Sequence, residues 1–345
     1  MPFIRNAWYA AGWSREIGRN LVARTFLDEP VVMFRTESGQ AVALADRCAH
    51  RFVPLSRGQL KGDTLECGYH GLCYDAMGRC VSNPHGDHSI PRAARVKSYK
   101  LAERDGIAWI WMGDPAIADE SKIRHFTQFG STGFASVEGY LSVKANYQLI
   151  SDNLLDLTHG QYLHPMFANP AGPAVFEPFN DPDPDTVWAR FMRRSQHPNK
   201  YFQFLGFPAD KLGDHRNCMR WNAPAIMLLD VGMTGVGRPE SEGISIPTAH
   251  LLTPETQTTT HYFWAMARDF KLSDEALSRQ LLEIGVNIFN NEDKPMIEAQ
   301  QVAIGDSDDL LALKPVLLAT DSPSVRARRI VLRLLREEQP NMQVA

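Results

Sequence analysis

At 345 residues with 44% hydrophobic composition, the chain is long enough to bury two substantial cores. A net charge of −4 gives no reason to expect nucleic acid or an anionic membrane as partner, and no apolar run approaches the length of a membrane span. The N-terminus carries Arg5 and Trp8 without an apolar signal core or a small-residue cleavage site, and the cysteines do not suggest a disulfide framework, so a cytoplasmic protein with reduced thiols is expected.

The first third reads as β-rich. Val31–Phe34 and Ala41–Ala45 are short apolar strands around a turn at Ser38-Gly39. Cys48-Ala49-His50 follows, and after sixteen intervening residues comes Cys67-Gly68-Tyr69-His70. Each loop offers one thiolate and one imidazole, so each can give one ligand to each of two metal ions. Replacing two thiolates of an ordinary [2Fe–2S] cluster by neutral imidazoles on one iron lowers the anionic ligand charge and raises the reduction potential, which is the Rieske arrangement. A Cys2His2 zinc site is the competing reading, but zinc sites more often pair like ligands as C-x2-C and H-x3-5-H. Cys48, His50, Cys67 and His70 are therefore the candidate cluster ligands; Cys73, Cys80 and Cys218 remain as structural thiols. Arg47, Arg51, Arg57 and Arg79 flank the loops and could steer an acidic electron donor. Asp75-Ala76-Met77-Gly78 reads as a turn and Ile107–Met112 as a strand that Gly113-Asp114-Pro115 ends. The boundary is placed there, giving domains 1–115 and 116–345.

Asn153-Leu154-Leu155-Asp156-Leu157-Thr158-His159, followed by His164, is the next constellation. Two histidines and a carboxylate on one face of Fe(II) leave neighbouring positions open for oxygen. Histidines five apart on a regular helix are separated by roughly 140° at 3.6 residues per turn. Pro165 pushes His164 out of the α region, so the helix is expected to end near Leu163 and let His164 swing back towards His159. Asp156 would share a helical face with His159, within reach of a carboxylate–imidazole hydrogen bond; Asp152, on nearly the same face, is its rival.

Further on, Ala225–Val231 and His250–Leu252 read as strands. A long helical pattern from about Asp274 to Ala303 carries an apolar stripe of Leu282, Val286, Phe289, Met296 and Ile297. Asp293 falls on that stripe, where an acid is costly unless paired or metal-bound; Glu292 lies about 100° round the helix. Pro295 is expected to kink the helix. Several acids stay open as a third ligand on spacing alone. Residues 164–188 are rich in Pro, Asp and Gly, a lid or a plain surface excursion. Val325–Arg336 sets Ile330, Val331, Leu334 and Leu335 against four arginines, a helix packed on one side.

The two loops resemble the Rieske motif. They lack the extra cysteines that brace electron-transport Rieske proteins, for which Val53 and Gly68 stand here, and so look like those of Rieske non-haem iron oxygenases. N-x-x-D-x-x-H-x4-H resembles that family's mononuclear iron motif residue for residue, and Asn291–Lys294 its third-ligand region. The resemblance implies His159, His164 and Asp293 as ligands of a mononuclear Fe(II). It implies Asp156 as the acid bridging a cluster histidine of one subunit to an iron ligand of the next, by the route His70, Asp156, His159 across a homotrimer. Asn153 resembles an asparagine near the iron. The implied fold is α+β: an N-terminal all-β Rieske [2Fe–2S] domain and a C-terminal helix-grip catalytic domain, an antiparallel sheet with helices. The likeness runs from Phe3–Tyr9 to Asn291–Gln301 and is strongest to the group of vanillate O-demethylase, dicamba O-demethylase and toluenesulfonate methyl-monooxygenase.

By that resemblance the chain is expected to be the oxygenase component of a monooxygenase. It would receive electrons from NAD(P)H through a separate ferredoxin-type reductase, use O2 as co-substrate and hydroxylate a methyl group of an aromatic acid. O-demethylation of a methoxybenzoate such as vanillate, with release of formaldehyde, is favoured over benzylic methyl hydroxylation of an aromatic acid or sulfonate, ring dioxygenation, or electron transfer alone. His250 matches a histidine that holds the ligand in the dicamba enzyme. Asp230, ending an apolar strand, is the second candidate substrate contact, facing a hydroxyl or methoxy group.

Overall fold

The structure, a computed structural model, describes residues 3–338 except 171, 173 and 308. The chain divides into two compact units, Arg5–His125 and the stretch from Phe126 onward, which Phe3 and Ile4 join. The first holds β1 (Trp8–Trp13), β2 (Val22–Phe26), β3 (Glu29–Arg35), β4 (Ala41–Ala45), β5 (Gln59–Lys61), β6 (Thr64–Glu66), β7 (Cys73–Tyr74), β8 (Cys80–Ser82), β9 (Ser98–Arg104) and β10 (Ile107–Trp111). Six of them form an antiparallel sheet in the order β1-β10-β9-β4-β3-β2, and four short ones a second sheet, β5-β6-β7-β8. The predicted apolar hairpin is β3 with β4, Val32 opposite Leu44 and Phe34 opposite Val42. Leu44, Leu55, Leu65, Leu72 and Tyr74 pack with both loop cysteines in one buried cluster, so the loops between β4 and β5 and between β6 and β7 sit on a rigid floor. The unit continues past Pro115. Trp8 Nε1 donates to the Asp119 carbonyl, and Arg104 to the carbonyls of Glu120 and Ile123, which fastens that segment to the sheet.

The second unit holds β11 (Ala135–Val143), α1 (Tyr147–Leu155), β12 (Val175–Phe176), β13 (Thr186–Gln196), α2 (Lys200–Leu205), β14 (Gly213–Asn222), β15 (Ile226–Gly235), β16 (Ile244–Thr256), β17 (Thr259–Arg268), α3 (Glu275–Val286), α4 (Lys294–Ile304) and α5 (Ser322–Glu338). Its seven-stranded antiparallel sheet runs β11-β17-β16-β15-β14-β13-β12. Helix α1 packs on β14 and β16, α3 on β11 and α5 on β13. This is the expected α+β architecture. Trp264 on β17 sets how closely α3 approaches: a Cβ on Gly139 would lie 2.4 Å from its indole, and one on Gly285 of α3 2.5 Å from it. Two glycines thus make the slot for one indole. No described helix is long and apolar enough to cross a membrane.

Two helix expectations are corrected. Helix α1 ends at Leu155 rather than near Leu163, and a 3-10 turn over Leu157–Gln161 follows, begun by the Asp156 side chain accepting from the Thr158 N–H. The apolar stripe is also shifted. Leu282, Val286 and Met296 are exposed, while Leu277, Leu281, Gly285, Ile288, Phe289, Asp293 and Ile297 form the buried face. Both faces carry leucines at helical spacing; the sheet selects the one with Gly285, where Trp264 needs room. In place of a proline kink, a π-helical turn covers Asn287–Asp293, with the Lys294 N–H reaching Phe289 O five residues back. In 164–188, β12 pairs with β13, and Gln161 both donates to Asn169 O and accepts from its N–H at 3.0 Å.

Candidate metal centres and pocket

The two loops of the first unit are copies of one turn. Cys48 N–H donates to Val53 O and Phe52 N–H to Cys48 O; Cys67 N–H donates to Leu72 O and Gly71 N–H to Cys67 O, all at 2.8–3.0 Å. The fifth residue of each has a left-handed φ, 62° at Phe52 and 69° at Gly71. Both cysteines are buried and His50 is exposed, with the His50 and His70 rings 4.6 Å apart. Cys48 Sγ meets Tyr74 Oη at 3.2 Å, and backbone N–H groups of Tyr69 and His70 point at the Cys67 sulfur. Hydrogen bonds of this kind tune a cluster's potential. Thiolates inside and imidazoles outside suit a two-iron cluster. Gly68 leaves no room for a bracing cysteine: a Cβ there would lie 2.5 Å from Arg57 O. Of the flanking arginines, Arg79 is tied to Asp75 at 2.7 Å and Arg47 lies over the Phe52 ring.

In the second unit His159, His164 and Asp293 come together with ligand atoms all within 4.8 Å. Asp293 Oδ1 lies 3.4 Å from His159 Nε2 and 3.3 Å from His164 Nε2. The other ring nitrogens are held from behind. His159 Nδ1 donates to the Asp156 backbone carbonyl at 2.5 Å and His164 Nδ1 to Glu292 Oε2 at 2.7 Å, which leaves both Nε2 atoms for a metal. Burial pushes the Asp293 carboxyl up, but hydrogen bonds from the two imidazoles outweigh it and hold it down at about 2. Burial pulls His164 down, yet Asp293 and Glu292 beside it leave its pKa raised. Two imidazoles and one carboxylate fit Fe(II) with open positions. Asn153 Nδ2 reaches Asp293 Oδ1 at 3.4 Å. The π turn that aims Asp293 is a distortion frequent at functional sites.

Three candidate acids separate by where their carboxylates go. Asp152 pairs with Arg328 of α5, Nε to Oδ2 at 2.9 Å, and is spent on that ion pair although it borders the same hollow as Asp156 and His159. Asp156 does not bond His159 through its carboxylate, because α1 has ended before it: Oδ1 accepts from Thr158 Oγ1 at 2.6 Å, and the backbone carbonyl takes the imidazole. With Asp152, Asn153 and His159 it lines an open hollow that shares His159 with the main pocket. Glu292, absent from the sequence-based site, is the orienting acid of His164. Only its neighbour relation to Asp293 hinted at this.

The main pocket encloses about 740 Å³ of free space including its mouth and is lined by the trio, by Leu154, Leu157, Phe167, Ile288 and Phe289, and by one face of the sheet. That face presents Asn217, Leu229, Val231, Thr248, His250 and Met266, whose cross-strand pairings agree. His250 is buried, and burial holds its pKa down at about 3, so the ring is neutral. Its Nδ1 meets Tyr262 Oη at 2.6 Å. Burial keeps that phenol protonated, so it is able to donate to Nδ1, the arrangement that puts the imidazole proton on Nε2. That atom has no partner among the described residues. The Asp230 expectation is corrected: successive strand residues face opposite ways, and with Leu229 and Val231 on the pocket side Asp230 points to the other. There Arg216 Nε donates to it at 2.6 Å and Ser245 Oγ at 2.8 Å.

Residues 7–100 match the Rieske [2Fe-2S] domain family and residues 143–337 the vanillate O-demethylase oxygenase C-terminal domain family. The chain is 36% identical over 348 residues to the toluene-4-sulfonate monooxygenase system iron-sulfur subunit of Comamonas testosteroni, covering 97% of this chain and 98% of that one. To the dicamba O-demethylase oxygenase component of Stenotrophomonas maltophilia it is 34% identical over 340 residues, 97% and 98% covered. It superimposes on the crystal structure of dicamba monooxygenase bound to 3,6-dichlorosalicylic acid with a TM-score of 0.89 at 34% identity, over 98% of this chain and 99% of the other.

Proposed function

The chain belongs to the Rieske non-haem iron monooxygenases of the vanillate and dicamba O-demethylase group, and on that premise we propose that it hydroxylates a methyl group of an aromatic acid. The favoured reaction is O-demethylation of a methoxybenzoate such as vanillate. The observation that carries this is the trio His159, His164 and Asp293 standing on the wall of an apolar pocket. The enzyme's cofactors are a Rieske [2Fe–2S] cluster and a mononuclear non-haem iron, and the iron supplies the activation of dioxygen that a C–H hydroxylation needs. Cys48, His50, Cys67 and His70 hold the cluster in this reading. Leu154, Leu157, Phe167 and Phe289 exclude water and press the ring of the substrate towards the trio. The neutral His250 offers its Nε2–H to a substrate oxygen. The balance is O2, two electrons and two protons per methyl group, giving water and a hemiacetal that collapses to a phenol and formaldehyde.

A ferredoxin-type reductase using NAD(P)H supplies the electrons, and the exposed His50 is where the cluster meets the surface. A homotrimer completes the reading. The Asp156 carboxylate lies on the open hollow beside His159, where His70 of a neighbouring subunit would reach it. A cytoplasmic setting suits the five free cysteines. Benzylic hydroxylation is the second reading, favoured by the identity to the toluenesulfonate relative. Incubation with a reductase, NADH and a panel of methoxy- and methyl-substituted benzoates and sulfonates tests both. Formaldehyde from a methoxybenzoate supports the first, a benzylic alcohol supports the second, and neither product from any member sinks the proposal.

A further inference from the structure

Arg193 on β13 is a buried cation on the pocket wall, 8% exposed. Its contacts are all neutral: Nε donates to Gly172 O, Nη1 to His215 Nδ1 and Nη2 to Gln161 Oε1, each at 3.3 Å. These are long for a charged donor, which prefers 2.7–2.9 Å with a carboxylate. A guanidinium carries five N–H groups, so three acceptors leave two of them over. Among the described residues no carboxylate pairs with it. Burial pulls its pKa down, and no neighbouring acid pulls it back. An isolated buried charge is costly, and here the uncompensated side is the pocket.

The neighbouring bonds extend the site. Arginine can only donate, so His215 Nδ1 must be the acceptor, and the His215 proton sits on Nε2. Burial holds His215 neutral, its pKa at about 3. Nε2–H therefore donates to Asn217 Oδ1 at 3.1 Å, which fixes the Asn217 amide with its NH2 turned the other way. Asn217 lines the same pocket. Arg193 thus orients Asn217 through His215, and both residues, each with N–H groups to spare, line one pocket. Strands β13 and β16 are three apart in the sheet, roughly 14 Å at 4.8 Å per step. Arg193 from one and His250 from the other leave room for one substituted ring between them.

We infer that Arg193 and Asn217 form the end of the substrate pocket that takes the anionic group of the aromatic acid, carboxylate or sulfonate. The inference rests on the reading that this pocket receives the substrate. It makes Arg193 a specificity-determining residue that removes uncharged aromatics from competition.

The test is equilibrium binding to the intact, cluster-loaded protein by calorimetry, with benzoate, benzenesulfonate and benzamide as probes. Arg193→Gln should weaken the tighter-binding anion about ten- to a hundredfold, as loss of a charge-assisted hydrogen bond does, and change benzamide less than threefold. The tighter anion names the carboxylate or sulfonate source. Asn217→Asp, which keeps the His215 bond, should weaken the anion at least tenfold and spare benzamide, and it serves if the arginine variant fails to fold. Equal losses for anion and amide, or no loss, overturn the anion site. Val231→Trp, which fills the pocket, separates the two levels. If it abolishes binding of all three probes, the pocket reading stands whatever Arg193 does. If benzoate still binds it at wild-type strength, the pocket reading falls and the anion site with it.

Discussion

Glu292 offers a sharp test of how the iron site is built, because it touches no metal yet holds His164 by a 2.7 Å hydrogen bond. Replacing it by Gln keeps an acceptor and removes a charge. Outer-shell partners of metal-bound histidines are worth about ten- to a hundredfold in affinity. The His164 side chain is 5% exposed but that of Glu292 is 21% exposed, so solvent screens part of the charge. The expected loss for Glu292→Gln is therefore the lower end, about tenfold or 1.4 kcal/mol, with Glu292→Ala nearer a hundredfold. The pH dependence carries a further signature. In the metal-free protein the His164 pKa is raised by Asp293 and Glu292 against the opposing effect of burial, and an incoming ion must displace that proton. Wild-type affinity thus falls as pH drops through the raised pKa. Glu292→Gln removes one group stabilising the imidazolium, so its affinity begins to fall at lower pH, and the gap to wild type should narrow between about pH 8 and pH 6. Competition titration of the mononuclear site with Fe(II) or Co(II), the cluster left intact, reads this. Equal affinity of all three proteins at pH 8 would refute the orienting role of Glu292.

Other outcomes follow from the same structure. Tyr74→Phe removes the hydroxyl 3.2 Å from Cys48 Sγ. Loss of about 1 kcal/mol of hydrogen bonding to the cluster should lower its midpoint by roughly 40 mV, since 59 mV is a factor of ten for one electron; an unchanged potential would show that the contact does not bear on the cluster. Asp156→Asn should leave cluster and iron contents intact by metal and sulfide analysis and cut turnover at least about a hundredfold, an estimate borrowed from the cost of losing outer-shell partners. Full-speed turnover would remove Asp156 from the electron route. Gly285→Ala sets a methyl 2.5 Å from the Trp264 indole and should cost about 1–3 kcal/mol, seen as a lower melting temperature. His215 and His250, each held at about 3 in the fold against an ordinary 6.5, resist protons that the unfolded chain accepts. Their contribution is complete above pH 6.5 and declines on acidification towards pH 3, by about 1.4 kcal/mol per pH unit each. Urea midpoints at pH 7.5 and 5.5 should differ accordingly.

Much of this molecule was legible as local chemistry. Cys48, His50, Cys67 and His70 announce a cluster because ligand type and spacing are short-range properties, and the two loops fold as copies of one five-residue turn. The α+β class and the β3–β4 hairpin were readable for the same reason: turns and apolar runs act within a few residues. The placing of Asp293 on a buried helical face also held, although Leu282, Val286 and Met296 turned out exposed.

The sheet and its packing decided the rest. Asp230 was misread because an apolar strand does not disclose which of its two faces meets the pocket; only the pairing with β14 and β16 turns Leu229 and Val231 inward and Asp230 towards Arg216. The Glu292–His164 bond joins residues 128 apart, and the relation of Arg193 to His215 and Asn217 exists only where β13 lies against β14. Sequence names the groups able to bind metal and ligand. Tertiary structure chooses which of them share a space, because that choice depends on which backbones are brought within a hydrogen bond of one another.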